Sequence, residues 1–151
     1  MSEQTTDIEK LQQLISHGPF NKWLNFTVLN AGEDGVEIKA VWRDEWVVNL
    51  ERRYTHGGIL AAIVDVAADY AIAARIGRPV PTIDIRVDYH KAAMPGDLTA
   101  KGRVLRIGSQ FSTAEAYIYD QDGALIASGR GTYFTAASAP KVPLGNASGG
   151  E

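Results

Sequence analysis

The chain has 151 residues, of which 45% are hydrophobic and 22% charged, and its formal net charge is -3. This length and balance predict one globular domain with a core that needs no covalent cross-links. The absence of cysteine excludes disulfides, thiolate metal sites and a cysteine nucleophile. The acidic balance argues against a protein that binds nucleic acid.

The N-terminal segment predicts a short amphipathic helix from about Thr5 to Ser16, with Thr5 or Thr6 as its cap. Gly18-Pro19 then ends this helix. We assign residues 1–20 to the helix and a linker. The first ten residues are polar and acidic and lack the order of a secretory signal, so we expect a cytoplasmic protein.

Two strands are predicted next, at Phe26–Leu29 and Val36–Trp42. The turn residues Gly32-Glu33-Asp34-Gly35 between them indicate a hairpin. The stretch Arg43–Thr55 mixes polar and aromatic residues without a period, which is typical of a loop.

The segment from Gly57 to Ile76 predicts a long helix that is apolar on nearly every side and therefore buried all round. Gly77 and Pro79 mark its end. Asp65 and Asp69 lie inside this segment, and each would cost about 2.5–3.5 kcal/mol at the centre of a membrane. A buried core helix is therefore a better interpretation than a membrane span, and we expect no membrane partner.

Four further strands are predicted, at residues 82–90, 98–107, 111–119 and 124–134. The first alternates apolar and polar residues, as a half-buried strand does. Turn sequences separate the last three, and we expect all four to form a meander. Residues 136–151 are rich in Ala, Ser, Pro and Gly, which predicts a disordered tail.

This order of elements predicts an α+β fold. A single antiparallel sheet of about six strands can cover one long helix only by curling around it. The expected architecture is the hotdog fold, a curled antiparallel sheet wrapped around one long central helix with a short N-terminal helix outside it. Residues 21–135 would form this domain.

Four segments resemble the phenylacetate-degradation type (PaaI-like) family of hotdog thioesterases. The main one is His56-Gly57-Gly58 followed in the same helix by Asp65, and the others are Thr82–Tyr89, Val104–Ser109 and Ala127–Gly131. The resemblance implies hydrolysis of acyl-coenzyme A by a homodimer or a dimer of dimers, with no cofactor because coenzyme A is part of the substrate.

The resemblance also implies roles for individual residues. The backbone N–H of Gly57 or Gly58 would polarise the thioester carbonyl, and Asp65 would act as nucleophile or general base. Thr82 lies where some relatives place a helpful hydroxyl. The family often has an asparagine six positions before the histidine; here Leu50 fills that position and Asn49 lies one step earlier. Either the loop shifts Asn49 into place or its role has moved or been lost.

The spacing of the motif carries an argument of its own. The first N–H groups of a helix have no intrahelical partner and lie at the positive end of its dipole. Asp65 lies eight positions beyond Gly57, which places it roughly 12 Å further along the helix axis. One carbonyl cannot contact both groups of one helix, since each contact spans around 3 Å. The two groups must therefore come from different subunits if they serve one substrate.

Several neighbouring residues remain open to two interpretations. His56 either acts as a general base or caps the helix start, and Asp69 could raise the pKa of Asp65 through like-charge repulsion. The coenzyme A phosphates need basic and small polar residues, and the candidates, with Arg106 foremost, are Arg86, His90, Arg106, Gly108, Ser109 and Arg130. The histidine spacing predicts no metal site.

Two other functions remain alternatives to a thioesterase. A non-catalytic acyl-coenzyme A binding or regulatory module on the same fold would account for the displaced asparagine. A hydratase or dehydratase would need a histidine in a longer motif, which the sequence lacks.

Overall fold

An antiparallel sheet of six strands curls around one long helix, as the sequence predicts. The structure, a computed structural model, describes residues 7–136. Its elements in chain order are α1 (Ile8–His17), α2 (Pro19–Leu24), β1 (Phe26–Gly32), β2 (Gly35–Ala40), a 3₁₀ turn (Asp44–Trp46), α3 (Gly57–Ile76), β3 (Thr82–Tyr89), β4 (Leu98–Arg106), β5 (Phe111–Tyr119) and β6 (Leu125–Phe134).

The strand order is β1-β2-β4-β5-β6-β3, and every neighbouring pair is antiparallel. The predicted meander of four strands is wrong for β3, which pairs with β6 and forms an edge of the sheet. The link at residues 90–97 is too long for a tight hairpin, and it passes the start of α3, where the Thr55 N–H donates to the Ala93 carbonyl. Periodicity identifies a strand but does not specify its neighbour.

The helix α3 has the predicted bounds and ends at Gly77, whose φ of 86° is the left-handed conformation that favours glycine. The sheet approaches it closely, since a Cβ at Gly102 would lie 2.1 Å from the Ala67 carbonyl oxygen. The prediction that α3 is buried all round is wrong for one side. A half-exposed stripe runs along it at helical spacing, comprising Gly58, Ala61, Ala62, Asp65, Val66 and Asp69.

Several element boundaries differ from the prediction. Asp7 caps α1, because its side chain accepts the Lys10 N–H; the predicted caps at residues 5 and 6 lie outside the described residues. Pro19 does not only end α1 but begins α2, since proline fits the first helical turn. The predicted loop at residues 43–55 contains the 3₁₀ turn, β1 extends to Gly32, and β2 ends at Ala40. Nearly all of the predicted tail lies outside residues 7–136.

The two edges of the sheet differ in how they are covered. At the β1 edge, the Gln12 side chain donates to the Phe26 carbonyl at 3.0 Å and accepts the Val28 N–H at 2.7 Å. At the other edge the middle of β3 is half-buried as predicted, since Ile85 and Val87 pack against the core, whereas Ile83 and Tyr89 near its ends are 57% and 55% exposed. Gln12 thus covers the start of the β1 edge, whereas β3 offers its outer backbone groups to another strand.

Candidate active site

The start of α3 presents one backbone donor. The Nδ1 atom of His56 accepts the Gly58 N–H at 2.7 Å, so His56 caps the helix and the Gly58 amide is occupied. The Gly57 N–H has no acceptor within residues 7–136 and lies at the positive end of the helix dipole. Because Nδ1 accepts this hydrogen bond, the proton of the neutral imidazole is on Nε2. Of the two predicted donors, Gly57 is the one that remains available.

The Gly57 amide opens onto a shallow groove. The Tyr89 hydroxyl donates to the Gly57 carbonyl at 2.8 Å, and its ring lies 3.4 Å from where a Cβ on Gly57 would be. The groove has a volume of about 390 Å³, and its lining comprises Tyr54, Thr55, Gly57, Leu60, Tyr89, His90, Lys91, Ala92 and Ala93. A substrate in this groove can approach the Gly57 N–H without meeting a side chain on that residue.

Asp65 is held by two hydroxyl groups. Its Oδ1 atom accepts the Thr82 hydroxyl at 2.8 Å and the Tyr133 hydroxyl at 3.0 Å. The register of β3 against β6 shifts between Thr82 and Asp84, and this bulge turns Thr82 towards α3. Burial and the negative charge of Asp65 raise the pKa of Tyr133, so its hydroxyl stays protonated and donates. Asp65 thus has a fixed orientation on the half-exposed side of α3.

The two parts of the predicted site lie at opposite ends of β3 in one chain. Gly57 contacts Tyr89 at the C-terminal end of the strand, and Asp65 contacts Thr82 at its N-terminal end. The two contact residues are seven positions apart, which is roughly 23 Å along a strand. A single chain therefore does not bring the Gly57 N–H and the Asp65 carboxylate together on one carbonyl group.

Asp69 is a second carboxyl group one helical turn beyond Asp65. It accepts the Val80 N–H at 2.8 Å. Burial raises its pKa from 3.8 to about 7, the negative charge of Asp65 adds to the increase, and the bond from Val80 opposes it. The like-charge repulsion that the sequence predicts between these two carboxyl groups thus contributes to the raised pKa of Asp69. Asp69 therefore carries a proton through much of the acidic range.

Replacing Asp69 with asparagine is expected to change how stability depends on pH. Between about pH 4 and 7 the unfolded wild-type chain has lost this proton while the folded chain keeps it, so rising pH favours unfolding. Wild type should lose up to about 4 kcal/mol relative to Asp69→Asn across this window and no more above it. Urea unfolding from pH 4 to 8 measures the difference. Asp122→Asn, at an exposed turn, is the control, and parallel curves for wild type and Asp69→Asn would contradict the expectation.

The side chain of Asn49 forms hydrogen bonds within its own loop. Its Oδ1 atom accepts the Glu51 N–H at 3.0 Å and the Arg52 N–H at 2.8 Å, which closes a local turn. Leu50, at the position of the family asparagine, is 91% exposed. The carboxamide oxygen of Asn49 thus stabilises the segment before His56.

The predicted coenzyme A residues lie in three separate places. Arg106 is the last residue of β4, and Gly108 and Ser109 lie in the turn that follows, at the same end of the sheet as Thr82. Arg86 and Arg130 are paired neighbours across β3 and β6, and both line a groove of about 530 Å³. His90 contacts the Ser128 hydroxyl at 2.8 Å and also lines the groove at Gly57. In residues 7–136 no group of three or more His, Cys, Asp or Glu side chains could hold a metal ion.

Sequence reasoning missed two tyrosines of the site. Tyr133 bonds Asp65 from the last strand, and Tyr89 bonds Gly57 from the end of β3. Both fit the apolar pattern of their strands, so no local signal distinguishes their hydroxyl groups. The pairing of Thr82 with Tyr133 across β3 and β6 brings the two donors of Asp65 together, and this pairing depends on the strand order.

Comparison with known proteins gives the same fold and a common family. The family model described as Thioesterase superfamily matches residues 53–127. A crystal structure of a protein from the thioesterase superfamily is 50% identical to this chain, with a TM-score of 0.82, and the match covers 84% of this chain and 96% of that one.

Two more distant matches extend the comparison. The medium/long-chain acyl-CoA thioesterase YigI of Salmonella typhimurium is 26% identical over 138 residues, which cover 81% of this chain and 88% of that protein. The Escherichia coli PaaI protein from the phenylacetic acid degradation operon is 21% identical, with a TM-score of 0.73, over 85% of this chain and 95% of that one. The likeness to PaaI supports the fold alone. No helix within residues 7–136 has both the length and the apolarity to cross a membrane.

Proposed function

Because this chain belongs to the thioesterase superfamily, we propose that it hydrolyses acyl-coenzyme A thioesters to a free acid and coenzyme A. One observation carries the proposal: a helix start with an unoccupied Gly57 N–H and a carboxylate, Asp65, oriented by two hydroxyl groups on the half-exposed side of the same helix. The first group suits a developing oxyanion and the second suits attack on a carbonyl carbon. The acyl-CoA thioesterase activity named for YigI supports the choice of carrier.

The site is completed by a second copy of the chain. Antiparallel pairing of two β3 edges about a two-fold axis places the Thr82 end of one strand beside the Tyr89 end of the other. Asp65 of one subunit then faces the groove at Gly57 of its partner. The half-exposed stripe on α3 supports this arrangement, since Asp65 lies on it and Gly57, which is itself partly exposed, adjoins its first residue, Gly58. Each dimer would hold two such sites.

Hydrolysis then follows from the two groups. The thioester carbonyl accepts the Gly57 N–H, which stabilises the negative charge that develops on its oxygen. The Asp65 carboxylate of the other subunit either takes a proton from the attacking water or attacks the carbonyl carbon itself, and water then cleaves the anhydride. In the first route the carbon–sulfur bond breaks when the tetrahedral intermediate collapses, and in the second it breaks as the anhydride forms. In both routes the proton that the coenzyme A thiolate takes up is balanced by the one that the attacking water releases. Thr82 and Tyr133 orient the carboxylate, and His56 holds the Gly58 peptide.

The coenzyme A moiety leaves through the groove beside Gly57. The β4–β5 turn lies at the Thr82 end of the sheet, so pairing of the β3 edges brings it near the groove of the other subunit. Arg106, with Gly108 and Ser109, is therefore our first candidate for the phosphates, and His90 lies on the groove itself. Neither a cofactor nor a metal is needed for this reaction.

A thiol-release screen over acyl-coenzyme A substrates of different acyl groups tests the proposal. We expect release of free coenzyme A with at least one acyl class. Tight binding of acyl-coenzyme A without thiol release from any of them would instead favour a binding module.

The shared site predicts complementation between two inactive variants. Mixing Gly57→Pro, which removes the N–H donor, with Asp65→Asn gives hybrid dimers that keep one intact site and lose the other. At equal amounts and full subunit exchange we expect about a quarter of wild-type activity. Mass spectrometry of differently tagged chains verifies the exchange. No recovery of activity despite verified exchange would contradict a site built from two subunits.

A further inference from the structure

The outward face of the sheet carries a row of charges that ends on β3. Cross-strand pairing aligns Arg103 on β4, Glu115 on β5, Arg130 on β6 and Arg86 on β3. Glu115 is buried between two of them: it forms a salt bridge with Arg103, and its other carboxylate oxygen lies 3.9 Å from Arg130. Arg86 is left beside Arg130, a like charge. Such a pair is destabilising across strands unless an acid neutralises it.

Acids flank Arg86 on its own strand. Asp84, Arg86 and Asp88 line the same groove as Arg130 and therefore share the outward face. Arg86 lies 3.4 Å from Asp88, and the two side chains are 82% and 52% exposed, so this contact is weak and open to solvent. The free side of Arg86, away from β6, is the open edge of the sheet. An opposite charge brought to that edge would complete the row.

The free edge also has a defined hydrogen-bonding pattern. The His90 N–H donates to the Ile126 carbonyl beside β6. Backbone groups alternate between the two sides of a strand, so Ile85 and Val87 direct theirs towards the open edge. The backbone of Ile85 can therefore form hydrogen bonds with a second β3 strand. Residues 84 and 86 would then occupy non-hydrogen-bonded pair positions, where opposite Cα atoms are closest.

We infer that two copies of β3 pair antiparallel with Ile85 opposite Ile85, so that Arg86 of each subunit faces Asp84 of the other. This inference rests on the shared site proposed above and specifies how that site is aligned. The two symmetric ion pairs make Arg86 and Asp84 positioning residues: they set the register that brings Asp65 to Gly57 of the other subunit. Arg86 is thereby assigned to the subunit interface and not to coenzyme A.

Neighbouring registers fit less well. Side chains of opposite residues must share a face, so the strand can slip only in steps that keep odd residues opposite odd ones. A slip of one step in one direction places Arg86 of one subunit opposite Arg86 of the other, and Asp84 opposite Asp88. A slip of one step in the other direction places the two Asp84 residues opposite each other. Each puts like charges together.

A slip of two steps pairs Arg86 with Asp88 and also satisfies the charges. In this register, however, Thr82 of one strand lies about three residues, or roughly 10 Å, beyond Tyr89 of the other strand. Asp65 would then lie beyond the groove at Gly57 of the other subunit. The inferred register is the one that meets both the charge and the site requirements.

Cysteine cross-linking tests the register directly, since the chain has no cysteine of its own. In the inferred register residues 84 and 86 of different subunits are opposite each other, with Cα atoms about 4.5 Å apart, within the range of a disulfide. Mixing Asp84→Cys with Arg86→Cys leaves one of the two ion pairs intact. Mild oxidation should give a covalent dimer that contains one chain of each variant.

The matched controls are Arg86→Cys alone and Arg86→Cys mixed with Asp88→Cys. Neither should form a disulfide under the same conditions. A covalent dimer in either control, or none in any mixture containing Asp84→Cys, would overturn the inferred register. This readout needs no enzymatic activity, so it is independent of the hydrolytic function, which the thiol-release screen tests.

A charge exchange gives a second readout. Arg86→Asp places two acids opposite each other and should raise the dimer dissociation constant by at least about tenfold in sedimentation. Adding Asp84→Arg to the same chain restores opposite charges and should return the dissociation constant close to that of wild type. A double variant that dissociates as readily as Arg86→Asp would overturn the inferred ion pair.

Discussion

Replacing Asp65 with asparagine is expected to lower kcat for thioester hydrolysis by about 10³-fold or more, with little change in the affinity for acyl-coenzyme A. The variant loses the negative charge that activates water or attacks the carbonyl carbon. It keeps the surrounding structure, because both hydroxyl donors, Thr82 and Tyr133, bond to the single atom Oδ1. The amide oxygen of asparagine can accept both bonds in the same way.

Thiol release measures kcat, and calorimetry with a non-hydrolysable analogue measures binding. Asp69→Asn is the matched control, since it removes a carboxyl group one turn away on the same helix and keeps the bond from Val80. We expect this control to retain most of the activity. Wild-type turnover by Asp65→Asn would remove Asp65 from the mechanism, while loss of binding would assign it to substrate recognition instead.

Replacing Gly57 with proline should lower kcat by about 10²–10³-fold, the usual effect of removing one oxyanion donor. Proline removes the backbone N–H and little else at this position. It is favoured at the first residue of a helix, and the extended conformation of His56, with φ -56° and ψ 134°, suits a residue that precedes proline. The Gly57 carbonyl stays available to the Tyr89 hydroxyl.

Gly57→Ala is the control for this substitution because it keeps the N–H. Its Cβ would lie 3.4 Å from the Tyr89 ring, an ordinary contact, so the fold should tolerate it. Circular dichroism and thermal unfolding establish that both variants fold. Equal losses in the alanine and proline variants would assign the effect to crowding, and undiminished turnover by Gly57→Pro would exclude this N–H as the donor.

Much of the fold follows from local patterns in the sequence. The bounds of α3 are set by His56, which caps its start, and by Gly77, whose positive φ ends it. Alternation identified β3, and turn residues separated β4, β5 and β6. The second helix was missed because Gly18-Pro19 indicates both the end of one helix and the beginning of another.

The arrangement of the site is harder to predict from the sequence than the fold. The position of β3 beside β6 depends on long-range pairing, and the pairing of Thr82 with Tyr133 depends on a bulge that no local signal predicts. The helix rise, by contrast, correctly separates Gly57 from Asp65 within one chain, because backbone geometry is the same in every α-helix. Which of the two glycines keeps a free N–H required the orientation of the His56 ring.

The Gln12 side chain has a consequence for the size of the assembly. A curled sheet with two open edges could add chains at both and grow into a filament. Gln12 occupies the backbone groups of Phe26 and Val28, so β1 cannot accept another strand there without first losing both bonds. In the dimer proposed above both β3 edges are used, so we expect strand addition to stop after two chains. We therefore expect that removal of the Gln12 side chain would open the start of β1 as a second edge, at which the proposed dimers would join into longer assemblies.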